Sequence, residues 1–169
     1  METISERVRH EVDVQWTEGL HFEAHAGGET IQLASGADGY KGGVGPKRLL
    51  LVALAGCTAM DVASLLPKMR VPFDSMKVKT SATVTEEHPK HYDTIHMTYE
   101  IAADAEFLPK IKMAVEKSTE KYCGVHHMLG EVAVLQPDVP GFGGADRDPG
   151  RGPDLIQIPD QLLDPNVIA

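Results

Sequence analysis

The chain has 169 residues, 42% of them hydrophobic and 24% charged, which is typical of one globular domain with or without an appended arm. Its 16 Lys and Arg residues face 25 Asp and Glu, and the formal net charge of −9 repels polyphosphate. The strongest local basic feature is only Lys77 with Lys79 on one strand face. We therefore expect no nucleic-acid partner.

Targeting signals are missing from the sequence pattern. Residues 1–14 alternate in charge and contain no apolar core of a signal peptide. The longest apolar stretch, residues 49–60, is shorter than the roughly 20 residues that cross a bilayer. We expect a cytoplasmic protein without membrane contact, in which two cysteines are either buried bystanders or a redox pair rather than a structural disulfide.

The first third of the sequence predicts a three-stranded meander. Residues 8–15 and 20–26 alternate apolar and polar side chains with the period of two of a half-buried strand. Gly27-Gly28 then indicates a hairpin into a short strand at residues 30–33. Residues 35–46 contain five glycines and a proline, which predicts a loop.

The next element, residues 49–66, is the most hydrophobic of the chain and ends at Pro67. A helix that is apolar nearly all round is buried on every side, and one small subunit cannot provide all of that cover. Each Leu or Val left in water would cost about 1.5–3 kcal/mol. The pattern therefore predicts an obligate homodimer with this helix near the interface.

The second half predicts a hairpin, an amphipathic helix and a last strand. Residues 76–86 and 92–101 alternate as two strands. Residues 108–122 carry a stripe at helical spacing, formed by Leu108, Ile111, Val115, Ser118 and Tyr122. Cys123-Gly124 breaks that helix, and a short strand is expected at residues 131–135. The predicted order is βββ-α-ββ-α-β, an α+β fold.

The C-terminal residues differ from the rest in composition. We divide the chain into a domain at residues 1–136 and an arm at 137–169, which holds 6 of the 11 prolines. The arm is too apolar for a solvated tail, and we expect it to pack on the body or on a partner subunit. Its apolar residues are Phe142, Leu155, Ile156, Ile158, Leu162, Leu163, Val167 and Ile168.

The two cysteines are the strongest candidates for chemistry. Cys57 lies inside the apolar helix and Cys123 at the end of the amphipathic one, 66 positions apart, so any pairing must be spatial. From spacing alone, Cys57 also fits a small buried hydrophobic residue. Cys123, at a helix end followed by glycine, fits that structural role less well.

Both cysteine segments resemble signatures of the OsmC/Ohr family (osmotically inducible protein C and organic hydroperoxide resistance protein), and the helix end resembles its OsmC-like subgroup. The first is LLLVALAGCT at residues 49–58, preceded by Gly45 and Pro46, and the second is YCGV at residues 122–125, preceded by Ile111, Ala114 and Val115 and followed by Leu129. The resemblance covers about residues 8–135. It implies an intertwined homodimer with the two cysteine helices at its centre.

The resemblance also implies an activity. In peroxidase members, the first cysteine attacks a hydroperoxide and becomes a sulfenic acid, the second closes a disulfide, and a dithiol reopens it. Cys57 would then be the peroxidatic cysteine and Cys123 the resolving one, with no cofactor. Thiolate attack and condensation of a sulfenic acid with a nearby thiol are consistent with this assignment.

One family feature differs in this sequence. Peroxidase members carry a glutamate just after the helix-opening proline, paired with a hairpin arginine, whereas here Lys47 and Arg48 follow Pro46 and the turn at residues 16–19 has no arginine. Lys47 points closer to Cys57 than Arg48 does, and a cation stabilises a thiolate. An OsmC-like protein with lost or altered activity, acting in binding or redox sensing, is the alternative.

Two further polar features have weaker implications. Asp61, one turn after Cys57 on the same helix face, is either a hydrogen-bonded buried acid near the dimer seam or a residue that orients a cation such as Lys47. The histidines are grouped near Cys123 (His126 and His127) and around the second hairpin. Their spacing does not match a four-ligand zinc site, and we expect no metal.

Overall fold

The computed structural model describes residues 8–35 and 42–139. The chain forms two compact units, residues 1–50 and residues 51–169. The expected arm beyond residue 139, with all its apolar side chains, and residues 36–41 of the expected glycine-rich loop lie outside the described residues.

The first unit contains the expected meander. Strands β1 (Val12–Glu18), β2 (His21–Ala26) and β3 (Glu29–Ala34) form an antiparallel sheet in that order. Strand β1 runs on through the expected turn, so that Trp16 pairs with Phe22. The reversals are tighter than predicted because Gly19, Gly27 and Gly28 all adopt positive φ angles, a conformation that glycine reaches without a Cβ clash.

Strand β1 leaves its apolar side chains in solvent. All seven of its residues are exposed, including Val12 at 69% and Trp16 at 61%. Among the described residues of this unit, only Ala34 is buried and hydrophobic. The alternation that predicted a half-buried strand is present, but the single chain does not cover its apolar face.

Helix α1 (Pro46–Lys68) is longer than expected at both ends. It begins at Pro46, whose fixed φ angle and missing N–H suit the first position of a helix. It continues past Pro67 and ends where Arg70 takes a φ of +58°. The N–H of Arg70 bonds to the carbonyl of Pro67, and the N–H of Val71 to that of Leu66, which is a Schellman cap.

The burial of α1 is one-sided within the chain. Its buried residues form a single line at four-residue spacing, Leu54, Thr58, Val62 and Leu66, whereas Met60 is 75% exposed. The expected burial on every side is therefore not provided by one subunit. By length and composition, the 23-residue helix is apolar enough to cross a membrane. The expectation that this segment is too short to do so is therefore wrong, because the helix is longer than the apolar stretch at residues 49–60. The buried line of the helix nevertheless belongs to the protein core.

The second unit builds that core between helices and a sheet. Strands β4 (Ser75–Val84) and β5 (Tyr92–Ala102) pair antiparallel, and β6 (Val134–Asp138) adds to β5 in parallel. Alternate residues of β5 are fully buried, namely Ile95, Met97, Tyr99 and Ile101. They pack with the buried line of α1 and with Ile111, Ala114 and Val115.

The expected amphipathic helix is divided into three parts. Helix α2 (Leu108–Lys117) passes into a π turn (Ser118–Tyr122), and helix α3 (Gly124–Gly130) follows Cys123. Helix α3 was not predicted, because one pair of half-buried residues, Val125 and Leu129, is too little periodicity to identify a helix. The last strand consequently starts three residues later than expected. The α+β class is confirmed, with α3 added to the predicted order.

Candidate functional site at the two cysteines

The middle of α1 supplies Cys57 and Asp61 from one face of the helix. Cys57 is half-buried and carries a free thiol. Its neighbour Thr58 is fully buried, and the Thr58 hydroxyl donates to the carbonyl of Leu54 at 3.1 Å, which satisfies it within the helix. Asp61 follows one turn later, where i and i+4 side chains lie side by side.

The π turn supplies the other two groups. Its wider winding lets the N–H of Cys123 bond to the carbonyl of Ser118 at 2.8 Å, and Cys123 then becomes extended with φ −77° and ψ 101°. The Cys123 sulfur accepts the N–H of His126 at 3.2 Å as the cap of α3. This winding leaves Tyr122 half exposed, although it was predicted on the buried stripe, and buries Cys123 to 3% exposure. Such π segments are frequent at functional sites.

Cys57, Asp61 and Cys123 meet in space. Their two sulfur atoms and a carboxylate oxygen all lie within 4.8 Å of one another. The hydroxyl of Ser118 donates to Oδ2 of Asp61 at 2.9 Å, which fixes the carboxylate beside the thiols. A disulfide would require the two sulfur atoms to approach to about 2.0 Å.

Burial assigns the protonation states around this cluster. Desolvation raises the pKa of Cys123 to about 11, with a hydrogen bond to Cys57 adding to the effect. Cys123 therefore keeps its proton at neutral pH. Desolvation likewise raises the pKa of Tyr99 to about 12 and lowers the pKa of His126, so both of these side chains are neutral at pH 7.

Three residues near the site were not predicted as functional. Ser118 was assigned only to the apolar stripe of its helix, and Tyr99 only to the alternation of β5. Tyr99 lies beside Thr58, and the nearby charges of Cys123, Asp61 and Cys57 contribute to its raised pKa. Within the described residues, neither the Tyr99 hydroxyl nor the buried Nε2 atom of half-buried His126 has a well-formed hydrogen bond. In the sequence, such positions can be recognised as polar side chains on an otherwise apolar helix stripe or strand face.

The predicted cations lie elsewhere. Lys47 and Arg48 are exposed in the first turn of α1, which belongs to the first unit. Of the expected supporting residues, Asp61 alone is in the described cluster. Within residues 8–35 and 42–139, no histidine joins a group of three metal-binding side chains.

Comparison with known proteins agrees with this fold and these motifs. The family model described as OsmC-like protein matches residues 37–136. Protein YhfA of Escherichia coli strain K12 is 33% identical over 116 residues, which cover 69% of this chain and 86% of YhfA. The chain belongs to the OsmC/Ohr family.

Two solved structures extend the comparison. A hypothetical protein from Aquifex aeolicus VF5 superposes with a TM-score of 0.69 and 26% identity, over 80% of this chain and 99% of the other. The organic hydroperoxide resistance protein OsmC from Legionella pneumophila superposes with a TM-score of 0.61 and 13% identity, over 80% and 98%. The second likeness concerns the fold alone.

Proposed function

We propose that this protein is a thiol-dependent peroxidase that reduces organic hydroperoxides, with Cys57 as the attacking cysteine and Cys123 as the resolving cysteine. The observation that carries the proposal is the approach of the two free thiols to within 4.8 Å, although they are 66 positions apart in the sequence. The family membership and the hydroperoxide resistance of a protein with the same fold add support.

The first step is attack by the Cys57 thiolate on the distal oxygen of the hydroperoxide. A sulfur–oxygen bond forms, the O–O bond breaks, and the leaving alkoxide takes a proton to become an alcohol. Cys57 is then a sulfenic acid. The Asp61 carboxylate, held by Ser118 and within 4.8 Å of both sulfurs, is placed to accept the Cys57 proton before attack. It would take over part of the work of the family glutamate, whose position is occupied here by Lys47.

The second step closes the disulfide. Cys123, protonated because burial raises its pKa to about 11, gives up its proton as its sulfur attacks the sulfenic sulfur. The sulfenic oxygen leaves as water, and a Cys57–Cys123 bond remains. An external dithiol then reduces the disulfide by thiol exchange through a mixed disulfide.

Preference for an organic substrate follows from the surroundings of Cys57. Ala53 and Met60 lie four residues before and three after it, on the same helix face, and both are exposed. They offer an apolar surface to an alkyl group beside the sulfur. An alkyl hydroperoxide should therefore react faster than hydrogen peroxide.

We further infer that the working unit is a homodimer in the cytoplasm. The exposed apolar side chains of β1 and of α1 favour cover by a second copy, since soluble monomers rarely expose contiguous apolar patches. The reducing cytoplasm keeps both thiols free.

Intact-mass spectrometry tests the chemistry. The reduced protein is mixed with stoichiometric alkyl hydroperoxide in the presence of a chelator, quenched with an alkylating agent and weighed. The wild type should lose two hydrogens and become resistant to alkylation at both cysteines. Cys123→Ser should instead gain one oxygen at Cys57, trapped by dimedone, and Cys57→Ser should do neither. A wild type that stays fully alkylatable would contradict the proposal.

Steady-state turnover with a dithiol reductant tests the role of Asp61. Asp61→Asn should lower the rate by about 10²–10⁴-fold, the range for loss of a general base. The matched control is Asp93→Asn, an exposed acid on β5 that hydrogen bonds to Thr83, and its rate should equal that of the wild type. Equal rates for both variants would remove Asp61 from the mechanism.

The second candidate function is non-enzymatic redox sensing or binding on the same scaffold. The lysine at the position of the family acid favours it. A binding role requires no oxidation of Cys57, whereas a sensing role requires oxidation without repeated turnover. The mass experiment therefore separates binding from the other two roles, and steady-state turnover with a dithiol separates sensing from peroxidase activity.

A further inference from the structure

The cluster of Cys57, Asp61 and Cys123 has the composition of an open metal site. Two thiols and a carboxylate converge from α1 and from the end of the π turn, with donor atoms within 4.8 Å of one another. Ligand atoms of a tetrahedral zinc ion lie roughly 3.4–3.8 Å apart, as follows from zinc–sulfur and zinc–oxygen distances of about 2.3 and 2.1 Å. Side-chain rotations that move the donor atoms by about 1 Å would bring them to that ligand spacing.

The groups around these three side chains support them as metal ligands. Ser118 donates its hydroxyl to Oδ2 of Asp61 at 2.9 Å, which orients the carboxylate. The backbone N–H of His126 donates to the Cys123 sulfur at 3.2 Å and stabilises negative charge there. Hydrogen bonds of this kind orient ligands in metal sites. The sequence had suggested no metal because ligands were sought among histidine pairs.

We propose that in the reduced protein Cys57, Asp61 and Cys123 bind one thiophilic divalent cation of the Zn²⁺ class, with the fourth position left to water. Each thiol releases its proton to solvent as its sulfur coordinates, and no electrons are transferred. With two thiolates, one carboxylate and one divalent cation, the occupied site carries a net charge of −1. Two soft sulfur ligands favour Zn²⁺ over Mg²⁺ or Ca²⁺, which prefer oxygen.

The metal site exists only while both thiols are reduced. A Cys57–Cys123 disulfide leaves a single carboxylate, which does not hold the cation. Conversely, the bound cation occupies the lone pairs with which Cys57 would attack a peroxide, so metal binding protects the thiols and inhibits turnover. The inhibition rests on the proposed function, whereas the binding does not.

Metal titration of the whole reduced protein tests the binding under anaerobic conditions. Co²⁺ reports thiolate coordination through its charge-transfer absorption. The affinity for Zn²⁺ is measured separately, by competition between the protein and a chromophoric chelator. The wild type should bind one ion per chain, and the disulfide form none. Zn²⁺ should also block alkylation of Cys57 in the wild type, a readout that needs no variant to fold.

Substitutions identify the ligands. Cys57→Ser and Cys123→Ser should each abolish the charge-transfer band or weaken binding more than 100-fold, and Ser118→Ala should weaken it by about 10–100-fold as for other supporting hydrogen bonds. Glu120→Gln, an exposed acid in the same π turn, is the matched control and should bind like the wild type.

The outcomes separate the two proposals. Absence of stoichiometric binding, binding that survives Cys57→Ser, or equal binding by the disulfide form would overturn the metal site. Because the peroxide experiment contains a chelator and the metal experiment contains no peroxide, a failed peroxidase with intact metal binding contradicts only the proposed function. The converse result contradicts only the metal site.

Discussion

The two sheets of this protein carry the same sequence pattern with opposite outcomes. On β5, alternate residues such as Ile95, Met97 and Tyr99 are fully buried beneath helices. On β1, the apolar residues Val14 and Trp16 alternate in the same way and remain exposed. Period-two alternation therefore indicates that a strand has an apolar face, but it does not indicate which element, or which subunit, covers that face.

The largest expected change in the free energy of unfolding comes from a substitution on the buried face of β5. Ile95→Ala should destabilise the protein by about 2–5 kcal/mol, because it removes a fully buried side chain and leaves a cavity. Val14→Ala is its counterpart on the exposed sheet and should cost less than about 0.5 kcal/mol in a monomer. Urea unfolding with equal m-values measures both. The proposed dimer covers β1, so Val14→Ala should cost more where the wild type is dimeric, and a loss below about 0.5 kcal/mol there would contradict that cover.

The second prediction tests that cover directly. Trp16→Lys should convert a dimer into monomers in sedimentation and make the Tm lower and concentration-independent, because a charge would enter the proposed interface. The burial of each apolar side chain there is worth about 1.5–3 kcal/mol. Gln15→Lys, its neighbour on the opposite face of β1, should leave the dimer intact. A wild type that sediments as a monomer would refute the proposed interface.

The third prediction concerns alkaline pH and the second unit. Burial raises the pKa of Cys123 from its ordinary 9.0 to about 11, so the native state favours the protonated thiol. Its contribution to stability is complete below pH 9 and is lost as pH rises from about 9 to about 11, since only the unfolded chain ionises early in that window. The free energy of unfolding of the reduced wild type should fall there.

Cys123→Ser provides the comparison, because serine does not titrate in this range. Its free energy of unfolding should decline less between pH 9 and pH 11, when measured by urea denaturation with reductant and chelator. Equal slopes for wild type and variant would show that Cys123 is not the group responsible. Tyr99, whose pKa burial raises from 10.0 to about 12, should add a decline between about pH 10 and pH 12 in both proteins.

The smallest effect concerns the one hydroxyl on the buried face of β5. Tyr99→Phe should change stability by less than about 1 kcal/mol at pH 7, in the stabilising direction, because the hydroxyl is buried without a well-formed hydrogen bond. Thermal melting measures it. A destabilisation above that size would mean that the hydroxyl has a partner in solution, for which Thr58 is a candidate.

The sequence alone determined most of the elements and the two cysteine motifs. Alternation located five of the six strands to within a few residues, and the unbroken apolar run at residues 49–66 located α1, because these patterns arise from local periodicity. The two signatures around Cys57 and Cys123 were sufficient to identify the family that the comparisons then established.

Only the tertiary structure decided how these pieces meet. The π turn brings Ser118 and Cys123 toward Asp61. It depends on a backbone hydrogen bond between residues five apart, from the N–H of Cys123 to the carbonyl of Ser118, and the side-chain pattern does not predict this bond. Helix α3 was too short to show a period, and the parallel pairing of β6 with β5 is a long-range contact. The closeness of two thiols and a carboxylate arises from packing between elements about 60 residues apart, for which one sequence contains no local physical signal.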